Sequence, residues 1–90
     1  MEWTTSAARH AIPRDDAMYV ISHPEGRAEL DIDQPDEQVV VYVGRAHPQT
    51  DRRLEVIAAI RPAHRTMVIF HVMELSDLYH HLVPYPEEEA

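Results

Sequence analysis

The sequence predicts an α+β domain with N-terminal helices, a four-stranded antiparallel sheet and a short C-terminal helix. Three observations predict it. Residues 52–60 and 66–73 are apolar, β-type runs separated by Arg61-Pro62-Ala63-His64-Arg65, the form of a hairpin. Residues 38–43, Gln38-Val39-Val40-Val41-Tyr42-Val43, are dominated by β-branched side chains and suit a central strand. Residues 28–33 alternate Ala, Leu and Ile with Glu29, Asp31 and Asp33, the period-2 pattern of a half-exposed edge strand.

The elements follow in order. Thr4, Thr5 or Ser6 caps a first short helix through Ala7, Ala8, Arg9 and His10. Pro13 suits a helix entry, and Asp15 and Asp16 face the positive end of the helix dipole. Ala17, Met18 and Ile21 make one apolar face of that second helix, and His23-Pro24-Glu25-Gly26 ends it. The strands over 28–33 and 38–43 are joined by the turn Gln34-Pro35-Asp36-Glu37. A polar loop, residues 44–51, leads to the hairpin strands. Ser76 or Asp77 caps the last helix over Leu78, Tyr79, Leu82 and Val83, which Pro84 stops. Successive strands with short connections favour a meander, with the helices covering one face. Residues 1–84 form a single domain, and residues 85–90 read as an acidic, flexible tail.

Bulk properties narrow the function. The chain has 90 residues, enough for one modest core. It has no Cys, which excludes disulfide staples and thiolate chemistry and fits a reducing compartment. No apolar stretch reaches the roughly 18 residues that cross a bilayer, and the start lacks a signal-peptide pattern. A cytoplasmic protein with no membrane partner is the expectation. The net charge of −8 argues against a general nucleic-acid binder. The charge is uneven, however. Residues 41–65 carry Arg45, Arg52, Arg53, Arg61 and Arg65 against Asp51 and Glu55 alone, so a local basic patch on an acidic body is expected. All eight cationic side chains are Arg, the residue that grips phosphate bidentately, although a GC-rich genome gives the same bias.

Several chemistries find no support. His80-His81 diverge by about 100° on a helix and make a poor ligand pair, so no metal is expected. With Gly only at 26 and 44, no phosphate-cradling loop exists. Ser6, Ser22 and Ser76 sit in no nucleophile elbow. Cleavage of RNA beside a 2′-hydroxyl needs a base, an acid and a cation for the phosphorane. Arg53 and Arg52 can supply the cation, Glu55 or His71 the acid and base, and Tyr79 a hydrogen bond or stacking surface. Arg53 and Glu55 lie two apart on a strand and share a face, as a surface ion pair also would. By alternation His71 shares a face with Ile69 and Met73, which also suits a packed histidine. Arg45, Arg61, His64 and Arg65 are the further candidates for RNA contact; a solvated turn is the plain alternative for the hairpin group.

Segments of the chain resemble one family. Trp3, then Ala8-Arg9-His10-Ala11-Ile12, then Asp16-Ala17 is similar to the opening of BrnT-type toxins. Val41-Tyr42-Val43-Gly44, Arg53-Leu54-Glu55-Val56-Ile57 and Val68-Ile69-Phe70-His71-Val72-Met73 resemble that family's successive strands, so the likeness spans residues 3–82. The family carries Gly where this chain has Ala11, a Ser-Ala-Arg step at His71-Val72-Met73, and a basic helix where this chain reads Glu74 to Tyr79. The resemblance implies a RelE/ParE-like fold and a small ribonuclease toxin, without cofactor, held by a cognate antitoxin protein. A non-catalytic protein-interaction module on the same fold is the competing expectation.

Overall fold

A computed structural model describes residues 1–84; the expected acidic tail, 85–90, lies outside the described residues. The chain is α+β, with one α-helix and one five-stranded sheet. The elements in order are β1 (Glu2–Trp3), a 3-10 turn at Ser6–Ala8, α1 (Arg14–Ser22), β2 (Gly26–Leu30), β3 (Gln38–Arg45), β4 (Arg53–Arg61), a 3-10 turn at Pro62–His64, β5 (Thr66–Glu74) and a 3-10 turn at His80–Leu82. The sheet order is β1-β5-β4-β3-β2. Strands β2 to β5 form the expected antiparallel meander. The fifth strand is β1, which pairs parallel to β5 through Glu2 with Val68 and Trp3 with Ile69. A strand of two residues has no alternation to betray it.

The expected elements are corrected in three places. The first N-terminal helix is only the Ser6–Ala8 turn, because Ala11 takes a left-handed backbone at φ 57° and Pro13 follows. The second is α1, entered after Pro13 with Asp15 and Asp16 in its first turn and ended at His23, whose N–H donates to Tyr19 O. Its buried side is Ala17 and Val20 with Ile21 packed beside them, and Met18 is only half-buried. The C-terminal helix is also absent. Tyr79, Leu82 and Val83 donate to Ser76, Tyr79 and His80, three residues back, so the segment runs in tight turns. The edge strand stops at Leu30 rather than continuing through Asp33.

Both faces of the sheet are covered. On one face α1 and Ala7 pack over Val40, Tyr42, Leu54, Val56, Ala58, Ile69 and Val72. The sequence pattern places covering elements on one face only; the second is covered as well. It holds Val41, Val43 and Ile57 beneath Leu75, Tyr79, Leu82 and Val83 of the C-terminal segment. Double coverage explains why Val40 to Gly44 and Leu54 to Ala58 are buried without a break. Gly26 is what lets the segment close down, since a Cβ there would overlap the carbonyl of Leu82. No helix among the described residues is long and apolar enough to cross a membrane.

Candidate functional site

Glu55 is 2 % exposed, a carboxylate in the middle of a β-sheet. Burying a charge there is tolerable only if hydrogen bonds replace its water. Three do. Ser76 N–H donates to Glu55 Oε1 at 2.7 Å and Ser76 Oγ to the same oxygen at 2.6 Å. His71 Nε2 lies 2.7 Å from Glu55 Oε2. An ionised carboxylate only accepts, so Nε2 carries the hydrogen, and in the neutral ring Nδ1 is then the acceptor. His71 keeps 30 % of its side chain exposed. The result is a buried carboxylate that holds one partly exposed imidazole in a fixed tautomer.

A defect in the sheet builds this contact. The β4–β5 register pairs Ile57 with His71 but Ala58 with Ile69, leaving Phe70 as an extra residue. This bulge shifts the side-chain parity of β5. Ile69 and Val72 therefore both face the helix layer, while His71 and Met73 join the face of Ile57 and Glu55. The expectation that His71 shares a face with Ile69 is overturned for this reason.

The strand arginines are held by acids. Arg53 makes a two-pronged bond to Glu25, Nε to Oε1 at 2.6 Å and Nη2 to Oε2 at 3.3 Å. That hydrogen bond raises the Arg53 pKa above the usual guanidinium value; burial works against it, and the charges of Glu25 and Asp51 add to it. A raised cation contributes stability at every pH below that range and loses it only as pH climbs through it, so Arg53 stays charged wherever the chain is folded near neutrality. Arg53 thus shares a face with Glu55 as expected but bonds to Glu25. Arg45 lies 3.6 Å from Glu25 and 4.0 Å from Asp51, and its Nε is buried without a hydrogen bond. Arg52 pairs with Glu74 at 2.6 Å and Asp16 at 3.6 Å. Arg61 pairs with Glu37 at 2.9 Å.

The predicted site residues divide into two groups. Glu55 and His71 come together, with Ser76, which sequence reading had singled out only as a helix cap. Arg61, His64 and Arg65 sit at the far end of the hairpin, about 20 Å from Glu55 at roughly 3.3 Å per strand residue. His64 and Arg65 are exposed, and Arg65 takes a left-handed backbone at φ 54°. Tyr79 packs its ring on the Val41, Val43 and Ile57 cluster. His10, to which the sequence suggests a capping or packing role, also comes to this site. Its ring stands edge-on to His71, with centroids 6.4 Å apart and planes at 72°. Only the bulge and the parallel strand β1 bring the two together, and neither has a local sequence signal. Among the described residues no three His, Asp or Glu side chains converge as metal ligands.

Comparison with protein-family models, with curated proteins and with solved structures finds no match to this chain.

Proposed function

We propose that the chain is the toxin-like component of a type II toxin–antitoxin pair, a metal-independent ribonuclease on a diverged RelE/ParE-like fold. The observation that carries this reading is the Glu55–His71 pair. A side chain kept only for packing at position 55 would be apolar, like Val56 and Ile57 beside it. This carboxylate instead spends one oxygen on Ser76 and the other on a half-exposed imidazole, the support that a general base requires. The reaction that fits is transesterification of RNA. His71 takes the proton of a 2′-hydroxyl, the oxygen attacks the adjacent phosphorus, and the 5′-oxygen leaves.

The second reading is a protein-interaction module that cuts nothing. One observation favours it: Arg52, Arg53 and Arg61 are each already paired with a carboxylate of the chain. These pairs leave little free positive charge in residues 45–65 to hold a polyanion.

Expression in a bacterial host separates the two. The ribonuclease reading expects growth arrest, relieved by Glu55→Gln or by co-expression of a neighbouring open reading frame whose product co-purifies. It also expects the purified protein to cut RNA in the presence of a chelator, leaving 2′,3′-cyclic phosphate ends. A harmless wild-type protein that leaves both free RNA and ribosome-bound messenger intact removes the ribonuclease. The module reading then stands only if the neighbouring product still co-purifies.

A further inference from the structure

His10 has no evident structural task. It is exposed, it makes no hydrogen bond or ion pair among the described residues, and its ring contact is with His71. Its position is nevertheless fixed by the backbone around it. Thr4 N–H donates to Ile69 O at 3.0 Å and Ser6 Oγ donates to Phe70 O at 2.9 Å, so the segment is tied to β5 at the bulge. Ala11 N–H donates to Ala8 O at 3.1 Å and its left-handed backbone turns the chain immediately after His10. Two anchors before His10 and one reversal after it hold this exposed imidazole beside the imidazole that Glu55 orients.

Cleavage beside a 2′-hydroxyl needs two proton-transfer groups on opposite sides of one phosphorus. The attacking and leaving oxygens lie about 3.5 Å apart, and each accepts or donates a hydrogen bond of roughly 2.6–3.2 Å. Two rings that serve them therefore stand about 6–9 Å apart, a span that contains the observed 6.4 Å.

We propose that His10 and His71 form an acid–base pair that flanks the scissile phosphate of single-stranded RNA, with His71 as base and His10 as acid. The proposal rests on the ribonuclease reading above and adds the second catalytic group that reading lacks. His71 is the base because the imidazolium it becomes remains paired with the Glu55 carboxylate. His10 is the acid: its imidazolium form is the donor in this step, and no carboxylate among the described residues pairs with it to hold that proton back. His71 Nδ1 takes the 2′-hydroxyl proton as the O2′–P bond forms. The P–O5′ bond breaks and His10 protonates O5′. The products are a 2′,3′-cyclic phosphate and a 5′-hydroxyl, and solvent returns the proton from His71 to His10. Single strands are the substrate because in-line attack by a 2′-hydroxyl needs a splayed backbone, which a duplex does not offer.

The test uses chimeric oligodeoxynucleotides that carry one ribonucleotide, each of the four bases in turn. The linkage after it is either ordinary or has sulfur in place of O5′, a leaving group that departs without a proton. His10→Ala is expected to cut the ordinary linkage about 10²–10⁴-fold more slowly and the sulfur linkage at close to the wild-type rate. His71→Ala is expected to be slow on both. His10→Gln serves as a second variant, and both are expected to melt at the wild-type temperature. Wild-type rates for His10→Ala on the ordinary linkage overturn the proposal, as does equal slowing on both linkages. If the wild type cuts RNA only on the ribosome, the pair is not sufficient and the proposal falls while the ribonuclease reading survives. If it cuts no RNA at all, both fall.

Discussion

The two faces of the sheet are built from the same strands and do opposite things. Under α1 the contacts are apolar throughout, from Val40 and Tyr42 across Leu54 and Val56 to Ile69 and Val72. Under the C-terminal segment the apolar cluster is smaller, Val41, Val43, Ile57 and Val83, and a buried carboxylate lies among strands that could have been wholly apolar. The first face is covered by a regular helix, the second by turns. The difference teaches where stability and chemistry are separated in so small a chain. One side of each strand is committed to packing, and the other is free to hold a polar network that costs something to bury.

The comparison breaks most visibly at Leu54. It is fully buried in the helix-side core, and Leu54→Ala is expected to cost about 2–5 kcal/mol by denaturant unfolding. A loss under about 1 kcal/mol would mean that this face is not the stabilising one. On the other face the sensitive property is polarity rather than volume. Glu55→Gln keeps the shape, but its amide gives one acceptor and two donors where His71 and Ser76 both require acceptors. We expect a loss of about 1–3 kcal/mol in the same measurement, and unchanged stability would count against a fully bonded carboxylate.

Gly26→Ala sharpens the point from outside the network. Its Cβ would strike Leu82 O, so the C-terminal segment must lift, at about 1–3 kcal/mol. Hydrogen exchange at Ser76 N–H should accelerate with it, while amides of α1 stay protected. The smallest effect is expected at Arg53, whose side chain is 26 % exposed opposite Glu25 at 27 %. Arg53→Ala should cost up to about 1 kcal/mol, a difference that shrinks in high salt. A larger, salt-independent loss would show the pair to be part of the core rather than its rim.

Sequence patterning carried the meander because alternation and β-branching are local properties. The strands at 38–45, 53–61 and 66–74 lie where Val, Ile and Thr concentrate. What patterning could not carry was anything decided at a distance. The C-terminal helix was expected because Ser76 is a good cap, but Ser76 gives both its N–H and its hydroxyl to Glu55, 21 residues earlier. The pairing of Glu55 with His71 needed the bulge at Phe70, and alternation alone gave His71 the wrong neighbours. Arg53 was legible as a cation on the face of Glu55; its capture by Glu25 depended on how the end of α1 meets β3. The expected contact residues for RNA followed from charge counting, which sees the arginines but not the acids folded against them.

The parallel strand at the start of the chain has a kinetic consequence. Glu2 and Trp3 are made well before Val68 and Ile69, the residues they pair with. Closing so long a loop is a late and slow step of folding. Everything that hangs on that strand waits too, including the tether at Phe70 that sets His10 against His71. A nascent chain can therefore form its meander while the two imidazoles are still apart, and it acquires the pair only when the sheet receives its final edge.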